Sequence, residues 1–354
     1  MSFYSIHTKI SYNPHNLLLY LQFIIEVRIM TLGINGLGRM GRTILREAIR
    51  RGHNIKALND VAKWEILAYL IEFDSAHGTF HHDVSYHNNT LLINNQSIQV
   101  SNHSDPKDID FGEVDVVVES SGKFLTTESV QHHLQKGAKK IIISAPPQDD
   151  TKMFVLGVNH MEYNGQSIIS NASCTTNCIA PICAILDKHY GIISATMTTI
   201  HSYTNDQNLL DNAHRSDKRR SRAAANNIIP TTTGAAIGLK RVLPNLEGKI
   251  HGQSVRVPLI DVSMADLNFY LNKTAKLDEI HTLFESYASD SMKNILSIDS
   301  KYRVSSDFLG STYSSIVAKD LSVQVGNMLK IMAWYDNESG YANRILDMAE
   351  FILR

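Results

Sequence analysis

Hydrophobic positions follow two alternating rhythms in the first half of the chain. A short apolar run from Arg28 to Asn35 reads as a strand, and Gly36 to Gly41 reads as a tight turn. Met40, Ile44, Leu45, Ala48 and Ile49 then recur at helical spacing, with Gly52 where a C-terminal cap belongs. Ile55 to Asn59 reads as a second strand and closes a β-α-β unit. The succession returns with Asp115–Glu119 as a buried strand, Thr127–Lys136 as a helix ending at Gly137, and Lys140–Ser144 as another strand. Such alternation predicts an α/β fold built on a doubly wound parallel sheet.

After Ser170 the rhythm changes. A helix rich in small and apolar residues, Cys174 to about His189, precedes β-prone stretches at 192–201 and 252–271, which predicts a second, mixed α+β domain. Pro181 is expected to bend that helix or to sit awkwardly in it. The polar stretch Tyr203–Asn227 carries Arg215, Lys218, Arg219, Arg220 and Arg222, and an irregular segment of that length inside a compact protein points to a functional or interface role. Tyr341, Ile345, Met348 and Ile352 give Glu338–Leu353 a helical apolar face. The expected division is therefore an extension at 1–28 outside the fold, a dinucleotide-binding domain at 29–173, a catalytic domain at 174–337, and a terminal helix at 338–354 returning to the first domain.

Length agrees with two domains, since 354 residues exceed one ordinary α/β core. Charge is balanced, with 34 basic against 35 acidic residues, so neither nucleic acid nor an anionic membrane is an expected partner and any anion site must be local. The apolar run Leu17–Ile25 is too short to span a bilayer, and no small-residue cleavage site follows it. Cys174, Cys178 and Cys183 lie too close together for a long-range disulfide framework, which fits a reducing, cytoplasmic setting. Their C-x3-C-x4-C spacing lacks a paired partner cluster, so no metal site is expected.

Gly36, Gly38 and Gly41 form G-x-G-x-x-G between a strand and a helix, the context in which that pattern signals a Rossmann-type dinucleotide site. The turn's glycines, with Arg39 and Met40 between them, let backbone approach a pyrophosphate at the helix N-terminus. Asp60 ends the second strand, 24 residues beyond Gly36, where a carboxylate accepts ribose hydroxyls and repels a 2′-phosphate. NAD is thereby preferred to NADP.

Cys174 opens a helix after Ser173, a position where the dipole and unpaired N–H groups favour thiolate. A cysteine there is more often a small buried residue, and Cys178 and Cys183 are read that way. His201, at the end of an apolar strand, is the candidate base. Most of the other 15 histidines, His81-His82 and His132-His133 among them, sit in polar stretches that read as solvated faces.

Longer strings make the reading specific. INGLGRMGR at 34–42, FDSAHGTF at 73–80, SNASCTTNCIAP at 170–181, HSYTNDQNLLD at 201–211, RRSRAAANNIIPTTTGAA at 219–236, SVRVP at 254–258 and WYDNESGYANR at 334–344 resemble the phosphorylating glyceraldehyde-3-phosphate dehydrogenase family, in order across 30–354. The resemblance implies oxidative phosphorylation of glyceraldehyde 3-phosphate with NAD, a homotetramer, Cys174 as nucleophile and His201 as base. It also implies that Thr204, Asp206 and Arg256 hold the substrate's phosphate, with Asp206 orienting Arg256. Ser173, Thr175, Arg220, Thr233 and Gly234 would hold inorganic phosphate. Ser120, Gly122, Ser144, Asn337 and Tyr341 would line the nicotinamide end of the cofactor site.

Two positions depart from the family pattern. Asn212-Ala213 stands where Leu-Pro or Gly-Pro is common, so cofactor preference rests on Asp60, and Ile237 replaces a common Lys. Erythrose-4-phosphate dehydrogenase shares the Cys, His and fold but usually lacks the Thr-Gly pair found here at Thr233-Gly234. A non-catalytic nucleotide-binding or adhesion protein is the alternative of another class, which the intact Cys174, His201 and phosphate positions disfavour.

Overall fold

A computed structural model describes residues 29–274 and 276–354. The expected extension at 1–28 and the strand start at Arg28 lie outside the described residues. In chain order the strands and helices are β1 (Thr31–Asn35), α1 (Arg39–Arg50), β2 (Asn54–Asn59), α2 (Trp64–Glu72), β3 (Val84–His87), β4 (Thr90–Ile93), β5 (Gln96–Ser101), β6 (Val114–Glu119), α3 (Thr127–Val130), α4 (His132–Gln135), β7 (Ala138–Ile143) and β8 (Ile168–Ser170). There follow α5 (Cys174–Tyr190), β9 (Ile192–Ser202), β10 (Ile229–Thr231), α6 (Ala235–Val242), β11 (Ile250–Val257), β12 (Ser263–Leu271), α7 (Leu277–Ser289), β13 (Leu296–Asp299), β14 (Ser315–Ala318), β15 (Val323–Val325), β16 (Met328–Tyr335) and α8 (Ser339–Ile352).

The first sheet runs β3-β4-β5-β2-β1-β6-β7-β8, parallel throughout except for the β3-β4-β5 hairpins at one edge. Strand order reverses between β1 and β6, which opens a crevice at their carboxyl ends. Both faces are covered: Val116 and Val118 bury against one layer and Val117 against the other, so the run reads as continuously apolar. On the first face Ile34, Ile44, Leu45 and Ala48 share a core with Tyr341, Ile345, Met348 and Ile352 of α8. The chain's last helix thus packs on the sheet with which the fold begins.

The second sheet runs β10-β11-β9-β12-β16-β14-β13 and mixes parallel with antiparallel pairs. Helix α5 lies on it, burying Ile179, Ile182, Cys183 and Leu186 with Leu267, Phe269 and Ile331. It continues through Pro181. The proline removes one i→i−4 bond, but burial on both sides of it outweighs that loss.

Two expected elements are interrupted. The helix 127–136 divides at Gln131, where Leu134 N reaches Gln131 O in a tight three-residue step. The stretch 252–271 breaks after Val257, because Pro258 has no N–H for a ladder and Val262 takes φ 68°. Tyr203–Asn227 has one 3-10 turn, Ala224–Asn226, and is cross-linked by Asp206–Arg220 and Asp211–Arg222. None of the helices among the described residues is long and apolar enough to cross a membrane.

Candidate active site

The turn after β1 has the geometry its glycines suggest. Gly36 has φ +87°, and a Cβ there would lie 2.5 Å from the backbone of Ser121. A Cβ on Gly41 would lie 1.8 Å from Gly36 O, whereas one on Gly38 would meet nothing within 4 Å. The first and third glycines permit packing, and the second leaves open space towards a ligand. No side chain caps the N-terminus of α1, so its first N–H groups remain available to a pyrophosphate. Asp60 Oδ2 accepts from Leu37 N at 2.6 Å and Oδ1 from Ala62 N at 2.8 Å, so the carboxylate also holds the glycine turn to the end of β2.

A cavity of about 640 Å³ extends from this turn across to the second sheet. Gly38, Arg39, Met40, Ser120, Gly122, Ser144, Ser173, Cys174, His201, Thr204, Asp206, Asn337 and Tyr341 line it, together with residues that the sequence did not single out: Ser75, Ser121, Pro146, Tyr203, Gln207, Leu209, Ile260 and Glu338. Gly36, Gly41, Asp60, Thr175, Arg220, Thr233, Gly234 and Arg256 are outside its wall. Glu338 closes one side by a bidentate pairing with Arg39, whose third nitrogen reaches Asp74. Burial would raise the Asp74 carboxyl, but bonds from Arg39 and from His77 N hold it down at about 2. The signal for Glu338 was its place in the 334–344 string, yet only folding brings it to Arg39.

At the far end of the cavity Cys174 begins α5. Ser173 is the N-cap and accepts from Thr176 N at 3.1 Å. The chain enters this cap through Ala172 at φ 58°, a conformation costly for a residue with a Cβ, and Tyr341 OH donates to Ala172 O at 2.8 Å. Cys174 Sγ lies 3.7 Å from His201 Nε2. His201 Nδ1 lies 2.7 Å from Ser202 O. Nδ1 also lies 2.6 Å from Arg256 NH1, which donates only, so the ring has an Nε2 lone pair for the thiol in the tautomer whose Nδ1–H goes to Ser202 O while NH1 turns its own proton to that carbonyl.

Arg256 sits on the other side of the imidazole because β11 and β9 pair in register, Arg256 opposite His201. Burial, then the Arg256 charge, lowers the His201 imidazole to about 3. The Cys174 thiol differs from the sequence expectation. Burial pushes it above its usual value, and the Thr175 hydroxyl and Arg256 charge offset this only in part, so helix placement alone does not make it a thiolate. These directions favour the neutral thiol and imidazole over a preformed thiolate–imidazolium pair.

The polar groups around the pair are ordered by bonds. Asn337 Oδ1 accepts from Ser202 Oγ and Ser263 Oγ at 3.0 and 2.6 Å, which leaves its NH2 as the group that can face a carboxamide. Thr175 Oγ1 lies 2.9 Å from Tyr335 OH. Thr233 Oγ1 accepts from Ala235 N at the start of α6. Asp206 corrects an expectation: its carboxylate pairs with Arg220 and with His214, not with Arg256. Arg256 instead donates through NH1 to Ser202 O at 3.0 Å. Strand register carries Arg256 to the histidine, whereas Asp206 lies in the 203–227 loop within reach of that loop's own cation.

Comparison with known proteins agrees with this geometry. Residues 30–127 match the glyceraldehyde 3-phosphate dehydrogenase NAD binding domain, and 173–337 match the C-terminal domain of the same family. The chain is 51% identical over 333 residues to glyceraldehyde-3-phosphate dehydrogenase of Helicobacter pylori, covering 91% of this chain and 99% of that one. It is 44% identical over 327 residues to the enzyme of that name from Geobacillus stearothermophilus, with 91% and 97% covered. The corresponding figures for glyceraldehyde-3-phosphate dehydrogenase 1 of Kluyveromyces lactis are 42% over 326 residues, 91% and 99%. With both domain matches and a cleft whose glycines fit a dinucleotide, the chain belongs to the glyceraldehyde-3-phosphate dehydrogenase family, an NAD-dependent enzyme on an α/β fold.

Proposed function

We propose that the chain oxidises glyceraldehyde 3-phosphate and passes the acyl group to inorganic phosphate, giving 1,3-bisphosphoglycerate through covalent intermediates on Cys174. The observation that carries the reading is the Cys174–His201 pair, 3.7 Å apart in the wall of the dinucleotide cleft. NAD, when bound, supplies the hydride acceptor. Gly38, the α1 N-terminus, Asp60 and the Asn337 NH2 are the groups of this chain that fit it.

Cys174 sulfur adds to the aldehyde carbon while its proton passes to His201 Nε2. His201 then passes that proton to the aldehyde oxygen, giving the thiohemiacetal hydroxyl, and takes the hydroxyl proton back at the same nitrogen as hydride leaves the carbon. Cys174 then carries a thioester. A phosphate oxygen attacks its carbonyl, the C–S bond breaks, and the thiolate leaves to recover its proton. The Cys174 N–H, at the helix N-terminus, and the histidine are the donors proposed for the oxyanion.

Arg256, beside His201, and Thr204 are assigned to the phosphate already on the substrate. Ser173, Thr175, Arg220, Thr233 and Gly234 are assigned to the attacking phosphate. Asp206, given its pairing, is assigned to orient Arg220.

A homotetramer is the proposed assembly. Leu209, Leu210 and Ile228 on or beside the 203–227 loop are 80%, 75% and 71% exposed, apolar surface that a second copy would cover. Three free thiols favour a cytoplasmic location. The deciding assay is NADH absorbance with NAD, glyceraldehyde 3-phosphate and phosphate. Wild-type chain should form NADH in a phosphate-dependent steady state and Cys174→Ser should not; full activity in the serine variant would exclude covalent catalysis.

A further inference from the structure

We infer that His214 is a positioning residue for phosphate use, acting through Asp206 on Arg220. The inference rests on the reading of Arg220 as a ligand of the attacking phosphate. The His214 side chain is 8% exposed, and its two ring nitrogens have separate tasks. Nδ1 lies 3.2 Å from Ser216 N and 3.0 Å from Asp217 N. Backbone N–H groups only donate, so Nδ1 must accept and the neutral ring's proton sits on Nε2. Nε2 lies 3.2 Å from Asp206 Oδ1, the correct polarity for donation.

The other oxygen of Asp206 pairs with Arg220 NH1. Arg220 is held further by Nε to Thr231 Oγ1 at 2.8 Å, with Asp217 Oδ2 at 3.5 Å from the same nitrogen, and by NH2 to Thr232 O at 3.2 Å. A guanidinium has five N–H donors, and three are committed here, which leaves two, one each on NH1 and NH2, for an anion. The direction of those two is set by the three that are fixed.

Asp206 poses an electrostatic problem, because it lines the cavity into which anions must pass. Its carboxylate is compatible with that place only if both oxygens are engaged. Bonds from His214 and Arg220 hold its carboxyl below the usual range against the opposing effect of burial. Without the Nε2 donor, Oδ1 would be free to turn towards the incoming phosphate, and the Arg220 fork would lose the rigidity of its partner.

Amide substitutions can separate the two halves of the imidazole. Asn at 214 can replace the Nδ1 acceptor but is too short to reach Asp206, whereas Gln can replace the Nε2 donor. The full-length enzyme carrying His214→Asn, His214→Gln, Arg220→Leu, or His214→Asn with Arg220→Leu would be assayed with NAD, glyceraldehyde 3-phosphate and varied inorganic phosphate. We expect His214→Asn to raise the KM for phosphate about fivefold, the scale of one lost oriented hydrogen bond, with the NADH burst preserved. His214→Gln should stay within about twofold of wild type, and the double variant should be no worse than Arg220→Leu alone. Equal phosphate KM in the Asn variant and wild type, or a larger defect with Gln than with Asn, would overturn the proposal and leave His214 as a loop-folding residue. Should His214→Asn lose its burst or unfold, the Gln variant decides: a fivefold phosphate defect there counts against the relay and near-normal KM supports it. Arg220→Leu with an unchanged phosphate KM would instead overturn the underlying assignment of Arg220.

Discussion

Arg256 and His201 are register partners on adjacent parallel strands, and the guanidinium NH1 lies 2.6 Å from the imidazole Nδ1. The cation proposed for the substrate phosphate thus also adds to burial in holding the candidate base's imidazole down. Arg256→Leu should lower kcat/KM for glyceraldehyde 3-phosphate by about ten- to a hundredfold, the scale of a charge-assisted bond. Unphosphorylated glyceraldehyde should lose much less. Equal losses for both aldehydes would place the substrate phosphate elsewhere.

The neutral resting pair sets a pH dependence. His201 is lowered to about 3 and the Cys174 thiol is raised, so from pH 5 to 9 the histidine's charge is constant and the thiolate fraction grows with pH. Alkylation of Cys174 by iodoacetamide should therefore accelerate through the alkaline range without a plateau near neutrality. His201→Asn should slow it near pH 7. A plateau at pH 6 to 7 in wild type would indicate a preformed thiolate–imidazolium pair.

Asp60 holds the glycine turn through Leu37 N, and its carboxylate is the group proposed to take the ribose hydroxyls. Asp60→Ala should raise the KM for NAD by about tenfold, one charged hydrogen bond, and narrow the preference over NADP. Wild-type enzyme using both cofactors equally would remove the repulsion argument.

The two anion assignments should fail differently. Thr233→Ala should slow deacylation by phosphate, preserving the initial burst of NADH and lowering the steady rate that follows. Arg256→Leu should diminish the burst itself. Rapid-mixing absorbance separates the two, and a lost burst in Thr233→Ala with unaltered phosphate dependence would reverse the assignment.

Acid stability should depend on His133, which the sequence places on a solvated face but which the fold buries against Phe111 with neither ring nitrogen hydrogen-bonded. Burial lowers its imidazole from 6.5 to about 4. The unfolded chain therefore binds a proton between those values that the native state refuses. Stability is full above pH 6.5 and falls as pH drops towards 4, by up to about 3 kcal/mol from this group. His133→Phe should flatten the decline of the thermal midpoint over that window, and an unchanged slope would assign the acid sensitivity to other groups.

Local rules carried much of this molecule in its sequence. The β-α-β succession follows from apolar spacing, and Gly36 and Gly41 follow from turn sterics, because both act over a few neighbouring residues. The motif strings likewise pointed to Cys174 and His201, at a helix start and a strand end. What the tertiary structure decided was which charges meet. Arg256 reaches His201 through the register of two strands 55 residues apart, Glu338 meets Arg39 across 299 residues, and Asp206 pairs with Arg220 instead of Arg256 because their shared loop folds back on itself. Burial, which no linear spacing reveals, then reversed the expected direction for the Cys174 thiol: desolvation of a charged sulfur exceeds the help from nearby donors.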